Sequence, residues 1–245
     1  MRSGARARLA LACAALLAFA PGARAYIPAV TSLLRRAAAR VQEGGRSKQA
    51  QLEGMLQLGE APPVPATLTL RFPLSCKLEG PGISVSASGE PGRMQIVKDD
   101  GHAGARDLLK LACPLIAYRG QNTPSAEQTL RAAAAEAGIP VDTAPTALTR
   151  LFDRVAIVIG APARLLDRPQ LWLYKDNGAP ARLLAKSEDR LDDLRLLQYG
   201  NPAAADWLPR VVELWHGATL VARFEALETR GFRPISEEGD DDARE

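Results

Sequence analysis

The chain has 245 residues, 47% of them hydrophobic, and a formal net charge of +3. Four of its 31 Lys and Arg residues and none of its 28 Asp and Glu residues lie in the first 25 positions. The remainder therefore carries 27 cations against 28 anions, a net charge of −1. That balance excludes the basic surface of a nucleic-acid-binding or anionic-membrane-binding protein. The length supports one sizeable domain.

Residues 1–25 have the pattern of a cleaved secretory signal peptide. Three arginines precede an apolar run at residues 9–19, which is too short to span a bilayer, and Ala-Arg-Ala follows at 23–25. A membrane anchor is the alternative, but no long apolar stretch occurs elsewhere in the chain. Only four apolar residues separate Arg8 from Cys13, too few for a lipoprotein signal. We expect a soluble periplasmic protein that begins at Tyr26.

A helix followed by strands is predicted for the N-terminal half. Residues 29–43 carry apolar positions at helical spacing, and two glycines follow them. Residues 47–58 and 66–80 have the composition of strands, separated by a proline-rich bend. In the second of these, Leu68, Leu70 and Phe72 alternate with polar residues, as in a half-buried strand. Residues 83–89 and 93–101 are predicted to form a hairpin around Gly89-Glu90-Pro91-Gly92.

Two alanine-rich helices are predicted in the middle of the chain. The first covers residues 105–114, where Pro114 should end or kink it. The second covers residues 125–139, with Ser125 as N-cap, Gln128 as its capping-box partner and Gly138 as the stop signal. Helices grouped between strands in this way indicate a helical cover over a sheet.

Two cysteines remain after the leader, Cys76 and Cys113. In an oxidising exported compartment such a pair indicates a disulfide. The alternative is two separate buried thiols. We expect the bridge, which would stabilise the fold by about 4 kcal/mol in the chain-entropy model.

Residues 155–227 contain four or five successive strand segments joined by recognisable turns. Asp176-Asn177-Gly178 is a strong hairpin signal, and His216-Gly217-Ala218 joins the last two strands in the same way. Each segment has one apolar face. The pattern predicts a mainly-β fold built on a curved antiparallel sheet.

The sequence shows no catalytic or metal-binding constellation. Its two histidines both neighbour glycine in predicted turns, and HExxH, G-x-S-x-G, P-loop and G-x-G-x-x-G motifs do not occur. Asp192 and Asp193 are expected on a solvated connector, and residues 236–245 as an acidic disordered tail. We therefore expect no enzyme activity, no cofactor and no metal.

Two motifs in residues 155–227 resemble the outer-membrane lipoprotein-sorting (LolA-like) family. That family combines a hairpin of the form L-W-[ILV]-D/K-x-x-x-x-x-P-x-R with a later W-[FL]-P-x-x-[IVL]-[EW]-[IVL] strand. Gly54-Met55-Leu56 also matches the G-x-[LMF] segment that ends its early paired strands. The matching residues here are Leu171, Trp172, Leu173, Lys175, Pro180 and Arg182, then Trp207, Leu208, Pro209 and Glu213. The resemblance is good over about a third of the mature chain and loose elsewhere.

The resemblance implies a mainly-β α+β fold in which a strongly curved antiparallel sheet, an incomplete barrel, is covered by helices on its open side. It also implies a carrier that holds lipoprotein acyl chains in an apolar cavity between sheet and helices, without chemistry. Residues 26–235 would form the single lipid-binding domain, with a membrane-bound donor or acceptor protein as partner. We also expect a monomer that binds no nucleic acid. A regulator or sensor of the same fold, binding a protein partner, is the alternative. Strand alternation gives residues that either line the cavity or belong to a sealed core: Trp172, Leu194, Leu196, Val212, Leu214, Leu220 and Phe224.

Overall fold

The computed structural model describes residues 28–42, 47–118, 122–187, 190–200 and 207–234. The predicted signal peptide and acidic tail lie outside these ranges. The helices in the described part are α1 (Val30–Gln42), α2 (Ala103–Ile116) and α3 (Thr123–Glu136). The strands are β1 (Ser47–Leu58), β2 (Val64–Arg71), β3 (Ser75–Gly80), β4 (Ile83–Glu90), β5 (Arg93–Lys98), β6 (Thr146–Leu151), β7 (Arg154–Gly160), β8 (Gln170–Tyr174), β9 (Pro180–Ser187), β10 (Arg190–Tyr199), β11 (Pro209–His216) and β12 (Thr219–Pro234).

All twelve strands form one antiparallel sheet in the order β5-β4-β3-β2-β1-β12-β11-β10-β9-β8-β7-β6. The first and last strands of the chain pair in the middle, and β5 and β6 are the two edges. Among the described strands, β5 and β6 do not pair with each other, so the sheet is not closed. Helices α2 and α3 connect one edge to the other and therefore cross one face of the sheet. The predicted fold class, a mainly-β α+β fold with an open antiparallel sheet and covering helices, is confirmed.

Strand alternation decides which side chains meet the helices. We call the sheet face that packs against the helices the inner face, and the other face the outer face. In β2, buried Leu68 and Leu70 alternate with half-buried Thr67 and Thr69, as predicted. In β8, all five residues are buried instead. The outer face of β8 is covered because the segment 161–169 folds over it. The side-chain amide of Gln170 holds this segment by donating to the carbonyl oxygens of Pro162 and Leu165 (2.9 and 2.8 Å).

The helices differ from the prediction at their ends. Helix α2 continues two residues past Pro114, whose missing N–H removes one hydrogen bond without ending the helix. The N-cap of α3 is Asn122 rather than Ser125, because the Asn122 side chain accepts the hydrogen bond of the Ser125 N–H (2.9 Å). A proline in the first turn of α3 suits this earlier start, since that position needs no donor.

The disulfide between Cys76 in β3 and Cys113 in α2 is present, as predicted, with a Cα–Cα distance of 5.9 Å. It spans 37 residues in sequence. In the chain-entropy model a loop of that length contributes about 4 kcal/mol to the free energy of unfolding. The bridge also ties α2 covalently to the sheet, whereas α1 and α3 have no such link within the described residues.

Candidate functional site

Five of the seven candidate residues meet in one buried cluster between the inner face and the helices. Each is at most 2% exposed, and the cluster also includes buried side chains from all three helices. We call this cluster the inner core. The five are Leu194, Leu196, Val212, Leu214 and Phe224. In this structure they are sealed core, so a ligand reaches them only when the helices separate from the sheet.

In contrast to the expectation of one shared face, Trp172 and Leu220 lie away from the inner core. Trp172 belongs to a smaller cluster on the outer face, because it pairs with Val158 while its neighbour Leu173 points inwards. A register shift between Leu214 and Trp215 places Leu220 opposite Trp215. Val221 packs against the inner core instead. A bulge of this kind cannot be read from alternation alone, since one inserted residue reverses the faces.

A cavity of about 140 Å³ opens at the junction of α2, α3 and the β9–β10 hairpin. We call it the seam cavity. Its floor is apolar, and its rim carries both signs of charge. The floor consists of Leu111, Pro114, Ala133, Ala137, Leu183 and Ala185, and the charged rim of Asp107, Lys110, Glu136, Lys186, Arg190 and Asp192. Most of the floor residues belong to the inner core or pack against it, so the cavity is an indentation into the apolar interior.

A chain of ion pairs joins helix α2 to the sheet at one side of this rim. Arg190 on β10 approaches Asp107 on α2 (3.4 Å) and also Asp192 on its own strand (2.9 Å). The Asp107 carboxylate also accepts a hydrogen bond from Arg106, which raises the pKa of that guanidinium. The Nε2 of His216 lies 3.1 Å from the Asp192 carboxylate. The ion pairs that involve α2 are partly exposed, and such pairs stabilise by less than about 1 kcal/mol each. They therefore hold α2 to β10 only weakly.

The opposite side of the rim is held by one backbone hydrogen bond. The Lys186 N–H on β9 donates to the carbonyl of Ala137 at the end of α3 (3.1 Å). Gly138 follows with a positive φ of 89° and directs the chain away from the helix. The seam cavity therefore lies between α2, which the disulfide fixes to the sheet, and α3, which only non-covalent contacts hold.

The prediction that Asp192 and Asp193 lie on a solvated connector is wrong. Both residues lie on β10, in the middle of the sheet. They are 4% and 6% exposed and point to opposite faces of β10. Asp193 accepts two hydrogen bonds of 2.7 Å from Arg182 and is also bonded by Arg195. Buried carboxylates of this kind require paired cations. The sequence signal for Asp193 was Arg182 on the preceding strand segment and Arg195 two residues further on, and it became informative only once the register was known.

The same outer face stacks cations on aromatic rings. The Arg182 guanidinium lies 5.1 Å from the Trp172 ring centre, and that of Arg195 lies 4.9 Å from Trp215. Trp172 also donates to the Gln170 side chain (2.8 Å). Because these groups satisfy one another, Trp172 of the family motif and Trp215 each have a structural partner on the outer face, away from the inner core.

No group of three or more His, Cys, Asp and Glu side chains in the described ranges could hold a metal ion. None of the three described helices is long and apolar enough to cross a membrane.

A scan against protein-family models found no match, and a search of curated proteins found none at its threshold. Solved structures do resemble the chain. An outer-membrane lipoprotein-sorting protein domain from Vibrio parahaemolyticus is 10% identical (TM-score 0.46; 86% of this chain, 94% of that chain). A LolA-superfamily protein from Nitrosomonas europaea is 11% identical (TM-score 0.42; 85% and 96%). The MucA/MucB complex of Pseudomonas aeruginosa is 14% identical (TM-score 0.29; 85% and 59%).

The first two of these structures are of the type that the sequence motifs resemble.

Proposed function

We propose that this protein is a periplasmic carrier that binds the acyl chains of lipids or lipoproteins between its helices and the inner face of its sheet. The observation that carries the proposal is the seam cavity, whose apolar floor leads into the inner core. The predicted signal peptide supports the compartment. No chemistry is needed, since transfer of an acyl chain out of water is itself favourable by about 0.8 kcal/mol per methylene.

The size of the seam cavity sets what the closed protein can hold. An engineered apolar cavity of about 150 Å³ accommodates one benzene molecule, so a cavity of about 140 Å³ receives about six carbon atoms of a chain. The rest of an acyl chain has to displace a helix. Helix α3 buries three alanines, Ala126, Ala133 and Ala134, beside Thr129 and Leu130. Alanine buries little area, so separating α3 from the sheet costs less than separating a leucine-rich helix.

Filling the cavity tests this proposal. Ala133 lies in the floor, and Ala135 lies exposed two residues further along the same helix. We expect wild type and Ala135→Leu to bind a fluorescent C16 fatty acid alike, and Ala133→Leu to bind it at least tenfold more weakly. Equal binding by all three proteins would place the ligand elsewhere. No binding by wild type would reject the carrier.

A second function, binding of a protein partner, is favoured by the free edge of the sheet. The β6–β7 hairpin exposes three large apolar side chains: Leu148 (41%), Phe152 (69%) and Val155 (36%). In the described part of the chain, edge strand β6 pairs only with β7, so an extended segment of another protein can hydrogen-bond to the backbone on its other side. We propose this as the alternative to the carrier.

A photo-crosslinking residue at position 152 in the native periplasm tests the alternative, with the exposed position 165 in the 161–169 segment, outside the hairpin, as control. One protein adduct at 152, lost when Arg150→Pro removes an N–H that faces the free edge, would favour the regulator. Only diffuse adducts at both positions would count against it.

A further inference from the structure

We propose that the connection between β7 and β8, residues 161–169, docks on the surface of a lipid bilayer that contains anionic lipids. We call this connection the β7–β8 loop. The inference goes beyond the carrier function, because it concerns where the protein binds a membrane and not what its interior holds. It is carried by two exposed leucines, by the arginines beside them and by the position of the loop next to the seam cavity.

The β7–β8 loop turns its largest apolar side chains towards solvent. Leu165 and Leu166 are 40% and 48% exposed, whereas the small side chain of Ala163 packs against the buried cluster on the outer face. Burial of apolar area would favour the opposite arrangement, with a leucine on that cluster. Single exposed apolar residues are common on soluble proteins, but two adjacent ones on one short loop indicate a contact surface.

Hydrogen bonds hold the leucines in this exposed arrangement. The Leu165 N–H donates to the carbonyl of Pro162 (2.8 Å), and the Arg168 N–H donates to the carbonyl of Leu165 (3.1 Å). The two bonds from the Gln170 side chain fix the same segment. A contact made by a loop that is already ordered costs less conformational entropy than one made by a loop that has to be ordered on binding.

The charges of the β7–β8 loop favour an anionic surface. Arg164 and Arg168 flank the two leucines, and Asp167 is the only acidic residue of the loop. Arg168 lies 3.9 Å from Asp167, and Arg164 takes part in no ion pair among the described residues. Apolar side chains beside cations are the pattern with which proteins bind the interface of anionic bilayers. Residues 26–245 are nearly neutral as a whole, which argued against such a surface, but a sum over the chain does not describe one loop.

The loop also lies beside the rim of the seam cavity. Its last residue, Pro169, lies next to Gly138 behind α3, since a side-chain carbon added to Gly138 would be 3.4 Å from Pro169 and 3.7 Å from Lys186. Lys186 and Ala137 both line the cavity. A bilayer that receives the loop is therefore close to the cavity through which the proposed carrier would take up or release an acyl chain.

Flotation with lipid vesicles tests the docking. Vesicles of phosphatidylethanolamine with phosphatidylglycerol are compared with vesicles of phosphatidylcholine alone. The control variant removes two side chains on β5 and β12 that are more exposed (70% and 73%) than the loop leucines. The three double variants are Leu165→Ser with Leu166→Ser, Arg164→Gln with Arg168→Gln, and the control Val97→Ser with Leu227→Ser.

We expect wild type and the control to float with the anionic vesicles to the same extent. The leucine variant should bind these vesicles at least tenfold more weakly, because it loses the apolar contact. The arginine variant should bind them about tenfold more weakly, and its weak binding to phosphatidylcholine should equal that of wild type. Raising the salt concentration should reduce the difference between wild type and the arginine variant, because salt screens exposed charges.

The results separate docking from the carrier function. Docking is refuted if wild type floats with neither kind of vesicle, or if the leucine variant floats as well as wild type. Equal flotation of wild type with both kinds of vesicle would refute the anionic surface. Flotation only with vesicles that carry membrane proteins would assign the loop to a protein partner and overturn docking on lipid. Binding of the fluorescent C16 fatty acid should be the same in all variants, and its absence from a wild type that floats would reject the carrier alone.

Discussion

Replacing Ala133 by leucine should stabilise the protein, although both larger and smaller residues usually destabilise a packed core. Ala133 is 6% exposed and lies in the floor of the seam cavity. Leucine adds three carbons, and burying each contributes about 0.8 kcal/mol. Fixing the longer side chain costs about 0.5–1 kcal/mol. The free energy of unfolding should therefore rise by about 1.5 kcal/mol.

The neighbouring residue supplies a matched control. Ala134 is completely buried and lines none of the seam cavity, so Ala134→Leu forces extra volume into occupied space. That substitution should lower the free energy of unfolding by about 1–3 kcal/mol. Urea denaturation followed by circular dichroism measures both changes on the same chain. Equal destabilisation by the two variants would refute the reasoning, since it would mean that no space exists beside Ala133.

Three further changes test the rest of the fold. Removing the disulfide with Cys76→Ala and Cys113→Ala should lower the free energy of unfolding by about 4 kcal/mol, and reductant should destabilise wild type equally in urea titrations. Asp193→Asn should cost about 3 kcal/mol, whereas the double change to Arg182→Met and Asp193→Leu should cost clearly less, because it leaves no unpaired buried charge. Burial raises the pKa of Tyr174 above 10. The stability that this shift contributes is complete below pH 10 and is lost as the pH rises further. The absorbance at 295 nm of wild type minus that of Tyr174→Phe reports ionisation of this tyrosine, and it should rise only above pH 10.

Most strand segments and five inner-core positions were accessible from the sequence because the signals are local, whereas the strand order was not predicted. Alternation in β2 and the Asp176-Asn177-Gly178 turn depend on a few neighbouring residues, and five of the seven candidate positions do lie on the inner face. The predictions that were wrong concern residues whose position depends on contacts between distant segments. The bulge at Leu220 is set by pairing with β11, and the burial of Asp193 depends on arginines that reach it from neighbouring positions in the sheet.

The seam cavity could not be predicted at all. Its walls come from two helices and two strands, and its charged residues look like an ordinary solvated surface in the sequence. Only their placement around one apolar floor distinguishes them. The cysteine pair was the one long-range contact that composition did reveal, since the predicted oxidising compartment and a count of two left a single possible pairing.

The central claim is that an acyl chain enters through the seam cavity and lies against the inner face. Photo-crosslinking with a C16 fatty acid that carries a diazirine near its methyl end tests it most directly, with peptide mapping of the adducts. We predict adducts on inner-core residues such as Leu196, Leu214 and Phe224, which saturate with ligand and are competed by palmitate. Adducts confined to the β6–β7 hairpin or the outer face, or no saturable adduct, would contradict the claim.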